Sequence, residues 1–286
     1  MTPSTAAESE AQPRELIVTL FGLYARGENN WLAVSSLVRL MAELGIDGPA
    51  VRSSVSRLKR RDVLTSVRRG GVAGYSLSED TLALLAEGDT RIFHRQRAEL
   101  SDGWLLLVFS VPESEREKRH ELRTSLLRSG FGAVAPGAWI APGHLTDEVK
   151  HMLHRKQLTD YVELFEGHHV GFEQLRLKVR RWWDFDQLAV LYADFVRRYR
   201  PVLDAIPALR KDPARAFAEY VPTLTTWRRL PYLDPGLPLE LLPQGWNGLT
   251  AESVFTKINN ALSAPAREFA LDVIHQPSGH RAETPI

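Results

Sequence analysis

The chain of 286 residues contains no cysteine. Disulfide scaffolds, cysteine-ligated zinc and thiol nucleophiles are therefore excluded, and the composition suits a reducing compartment. No apolar run approaches the ~18 residues needed to span a bilayer; the longest, Trp104 to Phe109, has the length of a strand. Met1 to Pro13 is polar and acidic and lacks the basic start and apolar segment of a signal peptide. A soluble cytoplasmic protein with no membrane partner is the expectation. Catalytic signatures are also missing. There is no HExxH pair, no Gly-x-Ser-x-Gly elbow, and no Lys-Ser/Thr after the glycine-rich stretch Gly70–Gly74 to make a phosphate loop. His151 and His154 share a helical spacing, but three further histidines nearby (His144, His168, His169) complete no metal-binding pattern. Neither a metal, a cofactor nor an enzymatic activity is expected.

Hydrophobic residues make up 44% and charged residues 25%, which is enough apolar material for cores in a chain of two or three domains. Net charge is only +1, yet it is unevenly spread. Between Pro49 and Arg69 lie seven basic residues against Asp62 alone, while the rest carries 29 basic and 34 acidic residues. Such a concentration is the footprint of a polyanionic partner.

The basic segment is read as a helix and a hairpin. Glu15 to Tyr24 and Val34 to Leu44 are predicted helices with Leu at helical spacing. Gly45-Ile46-Asp47-Gly48 is a tight turn in which Asp47 caps a third helix, Pro49 to Arg61. Val51, Val55 and Leu58 form its buried stripe. The opposite face carries Arg52, Ser53, Ser56, Arg57 and Arg60, with Lys59 beside them. A major groove admits a helix, and these side chains bond base edges and phosphates. Val63 to Val67 and Tyr75 to Leu77 read as two strands joined by the loop Arg68–Gly74, where Arg68 and Arg69 would neutralise phosphates. Three helices and a basic hairpin describe a winged helix-turn-helix that binds double-stranded DNA. Thr81 to Gln96 is a helix leading out of it.

From Gly103 to Gly167 the pattern becomes βαββαβ, the ferredoxin-like arrangement, with strands at Trp104–Val111, Gly132–Val134, Ala138–Ile140 and Tyr161–Phe165. From Glu173 to His275 helices dominate: Phe185–Asp204, Pro213–Arg229 with a break at Pro222, and Thr250–Leu262. The proline-rich stretch Pro231–Pro238 is expected to be irregular. Trp227, Arg228, Arg229, Tyr232 and Trp246 form an aromatic and cationic group suited to an apolar anion, although core packing explains the tryptophans as well. The polar tails, residues 1–12 and 276–286, are expected to be mobile.

The segment Asp234-Pro235-Gly236-Leu237-Pro238-Leu239-Glu240-Leu241-Leu242-Pro243-Gln244-Gly245-Trp246-Asn247-Gly248, preceded by Trp227-Arg228-Arg229, is similar to the DPxLPxxLLPxxWxG signature of the PaaX-like family of bacterial transcriptional regulators. Ser129-Gly130-Phe131-Gly132 and Gly137-Ala138-Trp139-Ile140 resemble that family too. The resemblance runs from about Arg14 to Leu262. It implies an α+β chain of three parts: a winged helix-turn-helix over 13–97, a ferredoxin-like domain similar to the Cas2 fold over 98–172, and a family-specific helical domain over 173–275. It also implies a homodimer on a roughly palindromic operator, acting as repressor of a catabolic operon. Relief would come from an aryl- or acyl-CoA such as phenylacetyl-CoA, held near Trp227, Arg228, Arg229, Tyr232 and Trp246. Two alternatives remain at this point: a constitutive regulator without effector, and a Cas2-like metal-dependent nuclease. Ser110, where those nucleases carry an acidic residue, counts against the second.

Overall fold

The computed structural model describes residues 11–171 and 173–276. The tails expected to be mobile fall outside that range, except for residues 11, 12 and 276. The described residues form two compact units.

The first unit comprises the described parts of Met1–Asp89, Val196–Trp227 and Glu252–Ile286. It opens with α1 (Pro13–Leu20), which runs on through a wider helical turn, Phe21–Ala25. A two-residue strand β1 (Leu32–Ala33), not anticipated from the sequence, leads into α2 (Val34–Glu43) and α3 (Gly48–Lys59). Strands β2 (Leu64–Arg69) and β3 (Val72–Leu77) follow, then α4 (Glu79–Phe93). The three strands make an antiparallel sheet in the order β1-β3-β2. Leu16, Ile17, Leu20, Phe21, Leu37, Leu40, Met41, Val51 and Val55 are all buried in this unit. The hairpin is tighter than the expected seven-residue loop. Gly70 and Gly71 both take positive φ, 55° and 82°, so two residues turn the chain and Arg68 and Arg69 belong to β2.

Later segments complete this core. In α9 (Pro213–Trp227) Phe217 stands 6.0 Å from Tyr24 and 5.2 Å from Phe269 of α11 (Gly248–His275), ring to ring. Thr225 donates to Thr19 at 2.8 Å. Two expectations about these helices are corrected. Pro222 does not break α9, and α11 continues well past Leu262, with Pro265 inside it. Proline costs a helix its bond and some strain, but the flanking Val221, Thr223, Leu224, Ala266 and Ala270 are all buried. Tertiary packing outweighs the local preference.

The second unit comprises Thr90–Phe195 and Arg228–Ala251. Strands β4 (Trp104–Phe109), β5 (Gly132–Ala135), β6 (Ala138–Pro142) and β7 (Val162–Gly167) pair in the order β5-β6-β4-β7, every neighbouring pair antiparallel. With α5 (Arg116–Arg128) between the first two and α6 (Thr146–Arg155) between the last two, this is the expected βαββαβ topology. Alternation along β4 divides its side chains between two cores. Leu105 and Leu107 pack with Leu122, Leu126, Val149 and Leu153 of the two helices. Trp104 joins Val179 of α7 (Leu175–Trp182), Trp183, Phe185, Leu237 and Leu241 on the other side. The 173–275 region thus contributes to both units, and α8 (Phe185–Leu209) is divided between them. The proline-rich stretch is not wholly irregular: α10 (Leu230–Leu233) is one helical turn with Pro231 in its first positions, where a missing N–H costs little.

Candidate nucleic-acid interface

Helix α3 is built as its sequence dictates. Asp47 caps it, its carboxylate accepting the Ala50 N–H at 2.8 Å. Val51, Val55 and Leu58 are buried against the first unit's core. The opposite face is open: Arg52, Ser53, Ser56, Arg57, Lys59 and Arg60 are all exposed. Ser54 is the exception among the small polar residues, being turned inward.

The hairpin stands beside a loop that locks it. Asn30 uses both ends of its amide on Leu77, donating to the carbonyl at 2.9 Å and accepting the N–H at 3.2 Å. The Trp31 indole N–H donates to the Val67 carbonyl at 3.2 Å, and its ring lies over Gly74. A Cβ there would stand 2.4 Å from the ring and 2.5 Å from the Leu32 carbonyl oxygen. Arg68 and Arg69 are exposed. Arg69 also donates to the Asn29 carbonyl at 2.9 Å and sits 5.7 Å from the Trp31 ring centre, so part of its fork holds the hairpin to the loop.

The five residues expected to hold an anionic ligand are placed differently from one another. Trp227 belongs to the first unit, is 2% exposed, and stacks on Phe255 at 4.7 Å. The other four belong to the second unit. Arg228, Tyr232 and Trp246 are half-buried and Arg229 is exposed. Tyr232 lies beneath the Arg91 guanidinium at 4.9 Å. Trp246 packs edge-on against Phe185 and Tyr192.

The sequence did not point to the group that dominates this unit. Asp234 is 1% exposed. Its Oδ1 accepts from the Gly236 N–H at 2.8 Å and pairs with Arg95 at 2.6 Å. Its Oδ2 accepts from Arg95 at 3.0 Å and from the Tyr192 hydroxyl at 2.7 Å, with Arg97 at 3.5 Å. Burial alone would raise the carboxyl pKa, but Arg95, Arg97 and the Gly236 N–H outweigh it and hold it at about 2. Burial and the neighbouring Asp234 push the Tyr192 phenol up, so it stays a donor. Arg91 grips the same segment, donating to the Pro231 carbonyl at 3.1 Å and to that of Ser129 at 3.0 Å, with Glu148 as its ionic partner. The start of the proline-rich signature and the turn before it are thus held by arginines. Its first residue, Asp234, was the available signal.

Three family models match the chain. They are described as a PaaX-like protein (residues 12–81), the PaaX protein central Cas2-like domain (residues 97–179) and the PaaX-like protein C-terminal domain (residues 183–272). A curated relative, the transcriptional repressor PaaX of Escherichia coli (strain K12), is 29% identical over 261 residues, 89% of this chain and 81% of its own. Among solved structures, the uncharacterized protein Rv0674 from Mycobacterium tuberculosis superposes with a TM-score of 0.56 at 22% identity, covering 92% of this chain and 100% of that one. That likeness is one of fold.

Proposed function

The chain belongs to the PaaX-like family, and from that premise we propose that it is a DNA-binding transcriptional repressor. One observation carries the reading: α3 buries Val51, Val55 and Leu58 and turns Arg52, Ser53, Ser56, Arg57, Lys59 and Arg60 to solvent. In this reading α1, α2 and α3 with the β2–β3 hairpin act as a winged helix-turn-helix within a DNA-binding segment 13–97. Segment 98–172 is the Cas2-like domain and 173–275 the family's helical part. Helix α3 enters the major groove, where serine and arginine reach base edges. Arg68 and Arg69 on the hairpin meet the backbone, supplying salt-sensitive affinity. A homodimer places two such helices on a palindromic operator, about one helical turn apart.

Repression is relieved by an aryl- or acyl-CoA, a bulky anion with an apolar end. Arg228, Arg229, Tyr232 and Trp246 are the residues assigned to it. Trp227, the fifth residue of the group, lies in the first unit and its ring stacks on Phe255. The effector must bind the DNA-incompetent state better than the competent one.

A gel-shift of the purified protein on the DNA upstream of its own gene, with and without a panel of CoA thioesters, tests both parts. The expected result is a specific shift abolished by one thioester. A specific shift that none disturbs removes the effector and leaves the regulator. No shift even at low salt overturns the DNA-binding reading.

A further inference from the structure

Between α1 and the C-terminal half of α3 lies a concavity of about 420 Å³ lined by Arg14, Arg57, Leu58, Arg60 and Arg61. The lining holds four guanidinium groups and no carboxylate. Like charges gathered around one hollow repel each other, and an anion entering it relieves that repulsion. The planar fork of arginine matches the oxygens of a phosphate in particular. Resting on the DNA-binding reading above, we propose that this hollow holds one phosphodiester of the DNA backbone.

Two consequences distinguish the proposal from a general basic surface. Arg14 sits in the first turn of α1, away from the recognition face of α3 and the hairpin, and becomes a DNA contact. Arg57 and Arg60 are committed to the backbone. Base reading then falls to Arg52, Ser53 and Ser56, nearer the N-terminal end of α3, the end that recognition helices present to base edges. Leu58, buried beneath the arginines, gives the hollow an apolar floor with no competing acceptor.

The test uses the full chain and two labelled duplexes: one enriched by the wild-type protein from a random pool, and a scrambled duplex of equal length. Affinity is measured by fluorescence anisotropy from about 50 to about 200 mM salt. Arg14→Ala is expected to weaken both duplexes by the same factor and to flatten the salt dependence by up to about 0.9 in log–log slope, the value of one phosphate. Over that fourfold range of salt, the wild type then loses up to about 3.5-fold more affinity than the variant. Arg61→Ala, on an exposed side chain, carries the same expectation independently of α1. The double variant flattens the slope by no more than about 0.9 in total, because the two residues share one phosphate. Arg14→Lys, which keeps the charge, restores most of the slope.

An unchanged slope in both single variants overturns the proposal while the wild type still binds DNA. So does a loss confined to the enriched duplex, which would make these arginines base readers. A wild-type protein that binds neither duplex at low salt is the separate failure of the DNA-binding reading, and the phosphate site falls with it.

Discussion

Replacing Asp234 by asparagine changes one oxygen to an amide nitrogen at nearly constant volume, and its cost follows from the acceptor count. Oδ1 faces the Gly236 N–H and one Arg95 nitrogen; Oδ2 faces the other Arg95 nitrogen, the Tyr192 hydroxyl and Arg97. Whichever way the amide is turned, its NH₂ meets at least two donors. The Arg95 side chain is only 7% exposed, so its charge is left without compensation in the interior. Breaking a buried pair from one side costs about 3–5 kcal/mol. For a chain of this size that is a fall in Tm of roughly 6–20 °C, read from circular dichroism on the full-length protein at neutral pH. A Tm within about 2 °C of wild type would refute the reasoning. Acid offers a second check. The Asp234 carboxyl lies at about 2 in the folded chain against an ordinary 3.8. A lowered pKa stabilises fully above the ordinary value and is lost as pH falls through the folded one. The shift is worth about 2–3 kcal/mol at neutral pH, so the gap between wild type and Asp234→Asn narrows between pH ~4 and ~2. A gap that stays constant across that window would place the stabilisation elsewhere.

Three further outcomes are expected. Asp47→Ala removes the α3 cap and lowers stability by about 0.5–2 kcal/mol, measured by urea unfolding; no change in the midpoint would deny the cap its role. Gly74→Ala drives a methyl into Trp31 and the Leu32 carbonyl and costs about 1–3 kcal/mol or more. Its signature is faster amide exchange at Tyr75 and Val67, and native protection at both would contradict it. Trp227→Ala removes the ring stacked on Phe255 and costs about 3–5 kcal/mol with or without thioester present, whereas a pure ligand contact would leave the stability of the free protein unchanged.

What could be read from the sequence was what is local. The repeat of Val51, Val55 and Leu58 and the carboxylate of Asp47 fix α3 within a dozen residues, and its buried stripe and cap stand where expected. The strand Trp104–Phe109 was legible from its length as a short apolar run, as expected of a strand covered on both faces. The two-residue turn at Gly70-Gly71 was blurred into a longer loop, because five consecutive small or glycine-rich positions disguise where pairing resumes.

What was not legible is what depends on distant partners. Arg95 meets Asp234 across 139 positions, and no periodicity announces such a pair. Of the internal prolines, Pro222 of α9 reads locally as a break, and the helices expected to stop at Asp204 and Leu262 run on through Pro207 and Pro265. These prolines are tolerated because buried neighbours are fixed by segments far along the chain, as Phe217 is by Tyr24 and Phe269. The same asymmetry bears on the two candidate ligand regions. The exposed basic face of α3 needs only its own residues to exist, so a single sequence exposes it. The stretch from Pro231 to Asp234, where the signature begins, is held by Arg91 and Arg95, and that accounts for its aspartate. For the proposed thioester, Arg229, exposed on this stretch, is the first residue to mutate.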